Sequence, residues 1–138
     1  MNLVRALRVL IVLEIGLFLL YSVSDSLLES ALPAPLQVFI LEKENTPLST
    51  ADILSFAIAV LLFVVLATAW IGLWRLKPWG RSVYTAATGL GILAIPAFAP
   101  FVTHGIAEKF SEAGSIANGM TLALIWFSPL ATHFQARR

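Results

Sequence analysis

Three stretches of this chain, residues 53–74, 82–107 and 113–136, contain no Asp, Glu, Lys or Arg. They are 22, 26 and 24 residues long and rich in Leu, Ile, Val, Ala and Phe. An α-helix rises about 1.5 Å per residue, so about 20 apolar residues cross a hydrocarbon core about 30 Å thick. Each stretch is long enough. A fourth candidate runs from about Val9 to Leu28, interrupted by Glu14 and Asp25. Strands are a poor alternative, because a lipid-exposed sheet must close into a barrel and the chain has no succession of alternating segments. The pattern predicts an all-α membrane protein, a single domain over 1–138 with four transmembrane helices in one bundle. The expected helices lie at about 7–28, 52–74, 82–103 and 113–134.

Composition supports lipid as the main solvent. Only 12 % of the 138 residues are charged, about half the ~25 % usual in soluble domains, and 59 % are hydrophobic, with a mean hydropathy of +0.88. These values exclude a disordered chain and a basic nucleic-acid binder. They also argue against a water-soluble domain, whose surface at this size would be too apolar. The chain has no cysteine, so disulfide scaffolds, thiol chemistry and Cys-ligated metals are excluded together. Arg5 and Arg8, with Ser22-Val23-Ser24 further on, give the first helix some likeness to a signal peptide. Glu14 would fall inside its apolar region and opposes cleavage, so the helix is counted with the fold.

Charge position predicts orientation. Arg5, Arg8, Arg75, Lys77, Arg81, Arg137 and Arg138 fall on one side of the expected spans with no acid among them. Asp25, Glu29, Glu42, Glu44, Asp52, Glu108 and Glu112 fall on the other, with Lys43 and Lys109. Basic loops stay cytoplasmic, so both termini are expected inside. Trp70, Trp74 and Trp79 bracket the turn Lys77-Pro78-Trp79-Gly80 and are expected as interfacial anchors. Ser49-Thr50-Ala51-Asp52 has the form of a helix-capping sequence. Between Pro33 and Pro47, a helix over about 35–44 is expected in the first outer loop, either lying at the periplasmic interface or folded as a lid over the helix ends. The second outer loop is expected around Gly105 to Glu112.

Glu14 is the costliest residue for a bilayer. It lies about 9 Å deeper than Arg8, where a carboxylate costs roughly 2.5–3.5 kcal/mol and faces a protein interior. Tyr21 and Asp25 share its helix face, and Thr68, Trp70, Thr88 and Ser128 lie at comparable depth as candidate partners. Two readings follow: a proton or cation site at Glu14, Tyr21 and Asp25, or a buried acid that pins helix packing. Ser115-Gly119-Ala123 repeats small residues at every fourth position, beside Asn118, and Thr85-Gly89 and Ala87-Gly91 do the same in the third helix. Gly89, Gly91, Ser115, Asn118, Gly119 and Ala123 are therefore candidate helix-packing residues. Pro96 and Pro100 predict a kink in the third helix. His104 and His133 fall at opposite membrane faces, too far apart to share a metal or haem. No catalytic, cofactor or metal-ligating constellation is expected, although bound lipid or pigment between helices fits the composition.

Leu32-Pro33-x-Pro35-Leu36, Gly72-Leu73-Trp74, Lys77-Pro78-Trp79-Gly80-Arg81 and Phe127-Ser128-Pro129-Leu130 together resemble a group of small bacterial four-helix inner-membrane proteins. That resemblance implies a location in the bacterial inner membrane and carries over no catalytic residue. A glutamate within the first of four short helices, Glu14, is also similar to the small multidrug resistance transporters. The long first outer loop and the one-sided charge depart from that family's pattern.

The expected function is non-enzymatic: association with other membrane subunits, as an accessory part of a larger complex, or self-association in the bilayer. The alternative is proton-coupled transport of hydrophobic cations through Glu14. An enzyme acting on lipid or quinone would need a His–acid or nucleophile–base pair at one depth, and the sequence shows none.

Overall fold

The computed structural model describes residues 2–28, 31–95 and 103–134. Pro96, Pro100, Glu29, Arg137 and Arg138 lie outside the described residues, and the expected proline kink with them. The described chain is helical: α1 (Leu3–Leu28), α2 (Ala34–Glu44), α3 (Thr50–Trp74), α4 (Pro78–Ala94) and α5 (Gly105–Phe127), followed by a 3-10 turn, Pro129–Phe134.

The four expected transmembrane helices are not found among the described residues. Among the described residues only Thr50–Trp74 is long and apolar enough to cross a membrane. The reasons lie in the other helices. α1 carries Arg5, Arg8, Glu14 and Asp25 along its length. α4 covers only 17 residues. α5 begins earlier than the uncharged window and takes Glu108, Lys109 and Glu112 into its opening turns. These residues were expected in a loop. The His104 ring nitrogen accepts from the Ile106 amide at 3.3 Å, capping the helix, and Glu108 sits favourably at its positive end.

α2 forms where a loop helix is expected. Leu36, Val38, Phe39 and Leu41 are exposed. At about 100° per residue they spread around the helix, so no single apolar stripe supports the expected interfacial docking. Ser49 caps α3 as predicted. Its hydroxyl accepts from the Asp52 amide at 3.1 Å, and the Asp52 carboxylate accepts from the Ser49 amide at 2.9 Å.

α1 packs along α5 and α3 along α4, while α1 meets α3 at few positions. The core sits at one end of this arrangement. Leu7 and Ile11 of α1, Leu73 of α3, Ile125 of α5, and Leu130 and Phe134 of the 3-10 turn pack there together. Each such side chain contributes about 1.5–3 kcal/mol relative to an exposed one. Beyond that end the pairs leave much apolar surface open; Ile53, Leu54, Phe56, Leu61 and Val64 of α3 are all exposed.

The α3–α4 turn draws the core end tight. α3 ends with Leu76 in the left-handed region at φ 53°. The Lys77 amide bonds back to the Gly72 carbonyl at 2.9 Å, and the Leu76 amide to the Leu73 carbonyl at 3.0 Å. Pro78 then starts α4. The two backbones approach so closely that a Cβ on Gly80 would lie 2.5 Å from the Gly72 carbonyl carbon.

Candidate functional site

Glu14 stands at the junction of the two helix pairs and is 6 % exposed. Three other helices bring polar side chains to it. Trp70, near the end of α3, donates its indole N–H to Glu14 Oε2 at 2.9 Å. The Tyr84 hydroxyl of α4 lies 2.8 Å from both carboxylate oxygens. The Thr121 hydroxyl of α5 makes a short bond to Oε1. Behind them, Asn118 of α5 donates from Nδ2 to the Tyr84 hydroxyl at 2.8 Å and to Thr88 Oγ1 at 3.2 Å. Tyr84 and Thr121 are fully buried and Trp70 is 8 % exposed.

Proton counting shows what this cluster can hold. An indole N–H only donates, and the Tyr84 hydroxyl, already accepting from Asn118, turns its own proton to the acid. Thr121 has a choice, because its hydroxyl also lies 3.0 Å from the Ala117 carbonyl. With Glu14 ionised, Thr121 donates to the carboxylate, which then takes three donors. With Glu14 protonated, the acid donates to Thr121, and Thr121 donates to Ala117. Every group is satisfied either way, which is what a carboxyl group out of water requires.

A cavity of about 500 Å³ opens beside this cluster, away from the core end. Glu14 and Trp70 form part of its wall, with Leu17, Phe18 and Tyr21 of α1 and Asn118 of α5. Phe18 stacks on Phe63 of α3, ring centroids 5.3 Å apart, so one aromatic pair bridges α1 and α3 beside the cavity.

The sequence-predicted residues divide around this site. Glu14 and Tyr21 reach the cavity and Asp25 does not border it. Trp70, expected at the interface, is buried against Glu14, whereas Trp74 and Trp79 are partly exposed. Arg8 lies over the Trp74 ring at 5.2 Å. Asn118, Ser115 and Gly91 border the cavity. Gly89, Ser115, Gly119 and Ala123 are exposed, and a Cβ added at Gly89, Gly91 or Gly119 would meet nothing within 4 Å. Of the candidate partners for Glu14, Thr68 bonds the Val64 carbonyl of its own helix and Thr88 serves Asn118. Ser128 accepts from the Leu130 amide.

Tyr84 and Thr121 were missed by sequence reasoning. Both lie about two turns from the core end of their helices, as Glu14 does when depth is counted from Arg8, and matching depth was the available signal. His104 and His133 lie at opposite ends of α5 and its 3-10 extension, and among the described residues no group of three metal-ligating side chains forms. Lys109 pairs with Glu112 at 2.9 Å, and the bond and charge of that carboxylate raise the lysine's pKa.

At the core end Arg81 lies over Trp126 at 4.0 Å from the ring centroid and near Phe134 at 5.9 Å. Its Nε is buried without a hydrogen-bond partner among the described residues, and the aromatic faces beside it offer the cation a favourable contact. Compared with protein-family models, curated proteins and solved structures, the chain matches none.

Proposed function

We propose that this chain is a non-enzymatic integral protein of the bacterial inner membrane that acts by helix–helix association, with its basic end in the cytoplasm. The observation that carries this reading is the outward face of α5. Gly119 and Ala123 follow one another at four-residue spacing and are exposed, beside exposed Ile116 and Met120. Small residues at that spacing let a second helix approach closely, and in lipid, close packing replaces the hydrophobic effect as the driving force. The chain's own helices do not occupy this face. α3 supplies the apolar span, and the exposed apolar side chains of α1 and α3 suit a lipid surround. The partner is another membrane subunit or a second copy.

The test is purification from native membranes in mild detergent, with mass spectrometry of co-purifying polypeptides and measurement of the oligomer mass. A stable companion or oligomer that Gly119→Leu releases is the expected result. A lone monomer with no co-purifying polypeptide ends the proposal. Proton-coupled transport of hydrophobic cations is less well supported. Trp70, Tyr84 and Thr121 already occupy the Glu14 oxygens, and a cation would have to displace one of them. Proton release driven by a hydrophobic cation in liposomes, lost in Glu14→Gln, would restore that reading.

A further inference from the structure

The cavity beside Glu14 has the size and wall chemistry of a ligand site. Its volume of about 500 Å³ falls within the roughly 300–1,000 Å³ of small-molecule pockets. The wall is chiefly apolar, supplied by Leu17, Phe18, Leu66, Ile92 and Phe110, with a few polar groups gathered near Glu14. Those polar groups specify the headgroup. The Glu14 carboxyl is satisfied within the fold by Trp70, Tyr84 and Thr121, so the cavity does not demand a cation. Asn118 spends its amide hydrogens on Tyr84 and Thr88 and makes no other bond among the described residues, which leaves carbonyl Oδ1 as an open acceptor. Ser115 donates its hydroxyl proton to the Ser111 carbonyl at 3.1 Å, and its oxygen too remains able to accept. With the Tyr21 hydroxyl, which also borders the cavity and can donate, this patch suits a ligand that exchanges hydrogen bonds through one hydroxyl and is otherwise apolar.

We propose that this cavity binds a neutral amphiphile, an apolar chain or ring system with a hydroxyl headgroup that donates to Asn118 Oδ1. Glycine keeps the pocket open at Gly91, which lines it and where a Cβ would meet nothing within 4 Å. Leucine at 91 therefore fills the cavity without striking the backbone. Gly16 has the same free space but lies off the cavity wall, and Gly16→Leu is the matched control.

The site contains its own reporter, because Trp70 borders the cavity. In full-length protein with Trp74, Trp79 and Trp126 replaced by Phe, Trp70 fluorescence is titrated with bromoundecanol, a contact quencher, in phosphatidylcholine vesicles. Saturable quenching is expected, reduced at least tenfold in apparent affinity by Gly91→Leu and unchanged by Gly16→Leu, with circular dichroism the same in all three. Should the Trp replacements unfold the chain, native mass spectrometry of the wild-type protein with the same alcohol reads the same comparison. Quenching that never saturates, or that Gly91→Leu leaves intact, overturns the site. Equal or stronger binding of bromoundecane overturns the hydroxyl headgroup, and preference for bromoundecyl-trimethylammonium overturns the neutral ligand in favour of a cation. None of these outcomes depends on the association face of α5.

Discussion

Replacing Glu14 by Gln and by Leu separates the two roles a buried acid can play. In the structure Oε2 takes the Trp70 and Tyr84 donors, while Oε1 faces Thr121. A glutamine with its oxygen in the Oε2 position keeps Trp70 and Tyr84 as donors. One hydrogen of its amide then meets Thr121, which accepts and turns its own proton to the Ala117 carbonyl at 3.0 Å, and the second faces the Tyr84 oxygen, 2.8 Å from that position and able to accept a second bond beside Asn118. Nothing is orphaned, so Glu14→Gln should cost less than about 1 kcal/mol, the net worth of an ordinary hydrogen bond. Glu14→Leu keeps similar bulk but accepts nothing. Thr121 again escapes to Ala117, leaving the buried Trp70 N–H and Tyr84 hydroxyl without a protein acceptor. At about 1–2 kcal/mol for each orphaned donor, the loss is about 2–4 kcal/mol, or roughly 30- to 1,000-fold in the folding equilibrium. Reversible unfolding in mixed micelles, followed by tryptophan fluorescence at constant detergent mole fraction, measures both. The reasoning fails if Gln costs as much as Leu, which would mean that the ionised carboxylate is what the cluster requires. It fails equally if Leu is neutral.

Gly80→Ala should destabilise the chain by about 1–3 kcal/mol, because its Cβ would press on the Gly72 and Leu73 backbone, whereas Gly89→Ala, in open space, should be neutral or gain up to about 1 kcal/mol of helix propensity. The same unfolding assay ranks the two. Ser49→Ala should cost about 1 kcal/mol and speed amide exchange in the first turn of α3 without touching α4. Trp126→Ala removes the ring over Arg81 and the indole donor to Thr85 at 2.8 Å, and should cost about 1–2 kcal/mol, with Trp126→Phe recovering part of it. Equal losses for Phe and Ala would show that the ring face contributes nothing.

The cap of α3 and the break before α4 were legible because their signals are local. Ser49 and Asp52 lie three residues apart and cap α3 within one turn, and Pro78 starts α4 where the break was expected. The start of α5 was misread because charged residues were equated with a loop. Glu108, Lys109 and Glu112 are compatible with a helix when they face outward, and the His104 cap fell inside the preceding uncharged window, 82–107, which was assigned to another helix. Uncharged length also overstated the number of spans, since a run free of Asp, Glu, Lys and Arg still contains Ser, Asn, Thr and Gly. The Glu14 cluster was half legible. Burial energy marked Glu14 and comparable depth suggested Trp70. Tyr84 and Thr121 needed the pairing of α1 with α5 and of α3 with α4, to which no local pattern refers.

By itself the sequence determined an apolar, helical chain with basic and acidic residues mostly segregated along it, and one acid, Glu14, well inside an apolar helix. These properties follow from composition and from spacing within single helices. Only the tertiary structure decided that Trp70 turns inward, that Asn118 and Thr121 converge with Tyr84 on Glu14, and that a cavity remains beside them. Hydrogen bonds between side chains as many as 107 positions apart depend on which helix lies against which. Many pairings bury similar apolar area, so the choice falls to the few polar groups that each alternative would leave unsatisfied.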